Sequence, residues 1–145
     1  MASVGKTGFV VSSASGADEL LAIKEDLSVT NSHSLKSGVA WGPKRVGNYV
    51  LVSDGSHTVS AFDDAGQTKW SVTLEGPLAG PPLEQNGRFV FATTGGQLAV
   101  VDGGSGQIAA KSQFGEPLGG GPVSYKGRLL IVGWDGTLYL VDVPK

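Results

Sequence analysis

Gly127-Arg128-Leu129-Leu130-Ile131-Val132-Gly133-Trp134-Asp135-Gly136-Thr137-Leu138-Tyr139-Leu140-Val141-Asp142 reads as two short apolar runs folded back on each other across a glycine turn. The same phrase occurs three more times: GFVVSSASGADELLAI from Gly8, GNYVLVSDGSHTVSAFD from Gly47 and GRFVFATTGGQLAVVD from Gly87. The leading glycines at 8, 47, 87 and 127 are spaced by 39, 40 and 40 residues. A fixed period near 40 built of short strands indicates a propeller-type array, in which one unit cannot bury its own faces and stacks on its neighbours. A parallel β-helix also stacks sheets, but its coils are much shorter.

Within each unit the first run is almost unbroken in its apolar character, as in Tyr49 to Val52, Phe89 to Ala92 and Leu129 to Val132. Asp54-Gly55, Gly95-Gly96 and Asp135-Gly136 follow, dipeptides that suit tight hairpins with primed turns. A second apolar strand then returns antiparallel: Val59 to Phe62, Leu98 to Val101, Leu138 to Val141. A sheet with one wet face alternates apolar and polar residues. Here both faces are apolar, so both need cover, and a blade sandwiched between blades meets that need. Polar turns at Asp63-Asp64-Ala65-Gly66 and Asp102-Gly103-Gly104-Ser105-Gly106 lead to mixed segments, Trp70 to Leu74 and Ile108 to Phe114. Their alternation suits an outer strand near solvent. Trp41-Gly42-Pro43, Gly80-Pro81-Pro82 and Gly121-Pro122 then mark an innermost strand, because proline lacks an N–H and belongs at a strand edge or start. Asp18 to Asp26 has some helical character, but its alignment with the other hairpins predicts a strand.

The reading is therefore an all-β protein with four blade repeats, units 1–40, 41–79, 80–119 and 120–145. The chain has 145 residues, 23 of them glycine, and a formal net charge of -2. Without a basic stripe or cluster, nothing points to nucleic acid or an anionic membrane. No apolar run approaches the ~20 residues of a membrane span, and the absence of cysteine excludes disulfides and thiol chemistry. MASVGKTG carries no signal-peptide core, which fits a cytosolic chain or one without its leader.

No catalytic or metal-binding constellation emerges, and no cofactor is expected. Gly5-Lys6-Thr7 lacks the upstream glycine and the following helix of a phosphate loop. Asp54, Ser56 and His57 group an acid, a hydroxyl and an imidazole, but around one hairpin turn they cannot align in relay, so turn chemistry explains them. His57 is expected on an exposed loop and His33 in an outer-strand turn. The acidic turns at Asp63 and Asp102 lack the spaced carboxylates and closing glutamate of a calcium loop. Two aromatics are candidate partner or ligand contacts: Trp134 at a hairpin tip and Trp41 before the Gly-Pro of an inner strand.

These units resemble the quinoprotein-like (PQQ-like) β-propeller repeat over nearly the whole chain. The last hairpin is close to that family's wording, and Ala61, Asp63, Gly66 and Trp70 match its docking motif, in which a tryptophan packs between blades. The third unit keeps Asp102 and Gly106 but has Ala110 at the tryptophan's place, and the first has Lys24-Glu25-Asp26 where the docking turn belongs. Propellers of this family usually have seven or eight blades, so four units imply half of an eight-bladed ring, with a self-closed four-bladed ring as the rival. Ser3 to Thr7 aligns with the inner strand Pro122 to Lys126, and an outer strand is missing after Val141. The expected partners are a second copy, in a homodimer that completes the propeller, or the remainder of a longer chain, together with a protein or peptide ligand. The resemblance implies a non-enzymatic scaffold like the outer-membrane barrel-assembly lipoprotein, in the periplasm or cell envelope. Its alternatives are a piece of a PQQ-dependent dehydrogenase or a ligand-sensing domain of a signalling protein.

Overall fold

The computed structural model describes residues 1–13 and 17–145, and among them every regular element is a strand. The chain divides into two compact units, Met1–Thr73 and Leu74–Lys145. The first unit holds two four-stranded antiparallel sheets. One is β1 (Ala2–Val4), β2 (Thr7–Ser12), β3 (Asp18–Ile23) and β4 (Val29–Leu35); the other is β5 (Val39–Val46), β6 (Tyr49–Asp54), β7 (Thr58–Phe62) and β8 (Thr68–Thr73). The second unit holds β9 (Leu83–Gln85), β10 (Arg88–Ala92), β11 (Gln97–Asp102) and β12 (Ile108–Gln113), then a three-stranded sheet of β13 (Val123–Tyr125), β14 (Arg128–Val132) and β15 (Leu138–Val141). In every sheet the strands lie in chain order, the up-and-down meander of a propeller blade. These are four β-propeller blades, the fourth with three strands.

Burial follows the sequence pattern. In β6, Val50 to Asp54 are all buried, and in β11 Gln97 to Val101 are, as expected of strands covered on both faces. β8 alternates, with Trp70 and Val72 inside and their neighbours out, as an outer strand should. Trp41-Gly42-Pro43 lies in β5, the sheet's edge, where two register shifts accommodate it. In three sheets the outer strand slips register at the same place, after Ala22, Ala61 and Val100, so the bulge is part of the repeat.

The two faces of a blade do different work. In the first unit, Phe9, Leu20 and Ala22 on one face of the first blade pack against Val50, Val52 and Phe62 of the second, with Phe9 and Phe62 5.8 Å apart. In the second unit, Val90, Ala92, Leu98 and Val100 pack likewise against Leu129 and Ile131, with Leu118 between. We call the first member of each pair the leading face and the second the trailing face.

Four sequence expectations need correction. Gly8 is not the first unit's turn glycine; it lies inside β2 opposite Ile23, at the place held by Val50, Phe89 and Leu129. The structural counterpart of the turn at Gly47 is Gly5-Lys6, since Val4 pairs with Thr7 as Val46 pairs with Tyr49. A short glycine-containing run tolerates a slip of a few residues in alignment, which strand pairing does not. Second, the primed turns sit elsewhere than expected. They join the first and second strands, where Asn86-Gly87 and Lys126-Gly127 both have positive φ. The turns at 93–97 and 133–137 instead place one left-handed residue, Gly96 or Gly136, after a tight turn. Third, His33 is within β4 rather than in a turn, 4.7 Å from the Phe62 ring, with Nε2 3.0 Å from the Gly66 carbonyl oxygen. Fourth, His57 is half-buried and fills the left-handed position that Gly96 and Gly136 fill in the later blades. The glycine turn read in the first hairpin falls on 14–16, outside the described residues.

Candidate functional site

In the second, third and fourth blades, the end where the second strand hands over to the third is held by one recurring backbone bond. Gly55 donates its N–H to the Gly38 carbonyl at 3.0 Å, Thr94 to Pro77 at 2.9 Å and Trp134 to Pro117 at 3.0 Å. Each hairpin tip is thereby tied to the segment that leads into its own inner strand. Gly55, Thr94 and Trp134 occupy equivalent places, and of these three Trp134 alone is a large aromatic. Its backbone is pinned, yet the side chain is 76% exposed. Rigidly mounted, exposed tryptophan is what a binding surface uses, because little freedom is lost when a partner covers it.

Carboxylates surround this tip. A Cβ built on Gly133 would meet Glu116 Oε2 and Asp135 Oδ1, each at 3.1 Å, so both acids flank the residue that precedes Trp134. Asp135 Oδ1 accepts the Thr137 N–H at 2.9 Å, and that bond holds its carboxyl below the ordinary value, hence anionic. An exposed ring on a tip whose preceding residue is flanked by two acids suits a partner with a lysine or arginine, which gains from both charge and the ring face.

Trp41 lies at the corresponding end of the second blade, half-buried in β5 opposite Ser53, with Lys44 Nζ 6.0 Å from its ring centroid. Both candidate tryptophans are therefore at strand-handover ends, Trp134 in solvent and Trp41 partly packed. Sequence reasoning had no means to rank them, since exposure is a property of the folded surface.

The acid–hydroxyl–imidazole group is a turn. Asp54 Oδ1 accepts the Ser56 N–H at 2.9 Å, the Ser56 hydroxyl at 2.6 Å and the Thr58 N–H at 3.1 Å, so acid and hydroxyl bond directly with no imidazole between them. The acidic turns are built the same way. Asp102 Oδ1 accepts from Gly104 and Ser105 N–H and from the Ser105 hydroxyl, and the Ser105 bonds lead in holding its carboxyl low. Burial works to raise the Asp63 carboxyl, but N–H groups of Gln67 and Ala65 and nearby Lys69 outweigh it and leave it low. Among the described residues, no three His, Cys, Asp or Glu side chains come together as a metal site would need. Gly5-Lys6-Thr7 forms a hairpin turn into a strand, with the Thr7 hydroxyl bonded to the Asp64 carbonyl.

A polar cleft of about 380 Å³ in the first unit was not anticipated. Its wall carries a hydroxyl ladder, Thr58 on Thr73 at 3.0 Å and Ser60 on Ser71 at 2.8 Å, facing His33 and Ser34. The signal for it is serine and threonine at alternate positions of paired strands, which also reads as an ordinary solvated face.

Comparison with known proteins gives a fold-wide match. A family model described as outer membrane protein assembly factor BamB matches residues 6–109. The crystal structure of BamB from Moraxella catarrhalis is similar at TM-score 0.73 and 19% identity, over 97% of this chain and 45% of that one. BBS1N, solved in complex with ARL6DN, is similar at TM-score 0.60 and 15% identity, covering 94% of this chain and 47% of that one. The computationally designed protein Ika4 is similar at TM-score 0.66 and 17% identity, covering 98% and 88%. Curated protein sequences yield no match. The chain thus spans less than half the length of the BamB and BBS1N structures. Strand order, burial on both faces and the matched span agree, and the chain belongs to the PQQ-like propeller-repeat family described as outer membrane protein assembly factor BamB.

Proposed function

We propose that this chain is a propeller half serving as a non-enzymatic interaction scaffold, which holds a protein or peptide partner at the blade ends through Trp134. The observation that carries the reading is one residue: a tryptophan 76% exposed on a hairpin tip whose backbone is tied to Pro117. The acids beside it assign the partner's chemistry, an exposed loop or peptide bearing lysine or arginine. The family's description supports a scaffold and, by the same analogy, a cell-envelope location.

Selection of peptides from a displayed library against the immobilised protein tests this. Basic peptides should be enriched, and Trp134→Ala should bind them about 30-fold or more weakly, the loss typical of a hot-spot aromatic. A selection without basic peptides, or equal binding by Trp134→Ala, would overturn the reading.

A further inference from the structure

Large apolar side chains left exposed are not scattered over this molecule. Among the described residues there are eight, and Trp134 is one. Four of the others, Val123, Tyr125, Leu138 and Leu140, lie on the leading face of the fourth blade, as their pairing with β14 shows. Met1, Leu27 and Val29 lie at the trailing side of the first blade, where Val29 pairs with Ile23 and a groove of about 200 Å³ is lined by Met1, Gly8, Ile23 and Leu27.

The repeat supplies its own control. Leu138 is equivalent to Leu20, Val59 and Leu98, and Leu140 to Ala22, Ala61 and Val100. All six counterparts are 0% exposed, whereas Leu138 is 65% and Leu140 41% exposed. The face that every earlier blade buries is bare on the fourth, with apolar residues still in place. Likewise the first blade's trailing face (Gly8, Val10, Leu21, Ile23) is only half-buried, while its counterparts Val50 and Val52 are buried. Exposed apolar patches of this kind are interaction sites.

We propose that these two faces cover each other between two copies of this chain, leading face to trailing face, through two equivalent seams. The argument is continuity with the packing inside each unit, where a leading face always meets a trailing face and never its own kind. A head-to-tail contact made twice closes as a two-fold dimer and covers both of these faces. Gly8 carries no side chain where later blades carry Val50, Phe89 and Leu129, and the Ile23 side chain lies over it, Cγ1 3.2 Å from the place of a Cβ, so Ile23 is what the leading face would meet there. The seam so formed has to be wider than the internal junction. Inside the first unit Gly66 has no space for a Cβ, 2.8 Å from that of Ala22, whereas the seam brings Leu27 and Leu140 to those two places. The proposal rests on the propeller-half reading but uses a different surface from the Trp134 tip.

Light scattering on the purified chain at micromolar to tens of micromolar concentration decides it. The expected mass is twice 14.8 kDa. Leu138→Lys and Val29→Lys each damage one face of both seams, so each variant alone should weaken self-association about 30-fold or more, with β-sheet circular dichroism unchanged. Mixed, the two variants retain one intact leading face and one intact trailing face, and should pair through a single seam. A monomeric parent chain would overturn the proposal, as would a dimer indifferent to Leu138→Lys. A dimer broken by Leu138→Lys but untouched by Val29→Lys would mean leading face on leading face and overturn it equally. Should either variant lose its circular dichroism, Leu140→Ser and Ile23→Ser take their places in the same mixing test. A monomer that still selects basic peptides through Trp134 fails this inference alone; a dimer that selects none fails the scaffold reading alone.

Discussion

Gly96 and Gly136 occupy the same place in consecutive blades of one compact unit, with φ of 91° and 87°, yet their surroundings differ. A Cβ on Gly136 would meet nothing within 4 Å, whereas one on Gly96 would lie 2.5 Å from the Glu116 carbonyl oxygen and 3.0 Å from that of Phe114. Gly136→Ala therefore isolates the backbone cost. Holding an L-residue in the left-handed region costs about 1–2 kcal/mol, and the stiffer unfolded chain returns roughly 0.4–1, for a net loss near 1 kcal/mol. Gly96→Ala adds a collision with backbone, which cannot swing aside, and overpacking of that kind costs about 1–3 kcal/mol more. His57 already sits in this conformation in the second blade, with φ 64°, so His57→Gly relieves strain and should stabilise by about 0.5–1 kcal/mol. Urea melts followed by circular dichroism give the three values. Equal losses for the two alanine variants would refute the collision at Gly96, and a loss of stability for His57→Gly would refute its assignment as an equivalent left-handed turn residue.

Trp70 is 5% exposed, opposite Ala61 and edge-on to Tyr49 at 6.3 Å, so Trp70→Ala should cost about 3–5 kcal/mol in urea melts. The same variant should lose the larger share of the blue-shifted native fluorescence, since Trp134 lies in solvent and Trp41 is only half-buried; an unchanged emission maximum would count against that packing. Acid stability has a definite sign. The carboxyls of Asp18, Asp26, Asp102 and Asp135 are all held below their ordinary value by hydrogen bonds, led by the Ser13, Ser28, Ser105 and Thr137 donors respectively. A folded-state value below the unfolded one stabilises above the unfolded value and is lost as pH falls through the folded one. Stability should hold between pH 7 and 5 and decline only below about pH 4. Asp102→Asn should flatten that decline, and a midpoint that moves between pH 7 and 5 would contradict it.

Much of the fold is legible along the chain because a blade is a local object. A meander pairs neighbouring strands, so runs such as Leu129 to Val132 and Leu138 to Val141, with a turn between, carry their own pairing instructions. Burial on both faces is also written there, as an apolar run without alternation. The proline-bearing inner strands and the alternating outer strands followed for equally local reasons, the missing N–H of Pro43 and the half-wet pattern of β8. What a linear reading lacks is register. A slip of two or three residues at Gly8 changes nothing in composition but moves the turn to Gly5-Lys6 and sets Gly8 within β2, opposite Ile23. Similarly, Asp54-Gly55 and Asp135-Gly136 look alike in sequence but are not equivalent. Hydrogen bonding aligns His57, not Gly55, with Gly136.

By itself the sequence determined the all-β class, the four hairpin repeats and the absence of any thiol or membrane-spanning helix chemistry, since each depends on residue type and short spacing. Only the tertiary structure decided which tryptophan stands in solvent, which acids gather beside it, and which of eight apolar blade faces remain bare. Those are facts about distance between segments far apart in the chain. Leu138 and Leu98 are interchangeable as letters; one is exposed and the other buried because a further blade lies over one and not over the other.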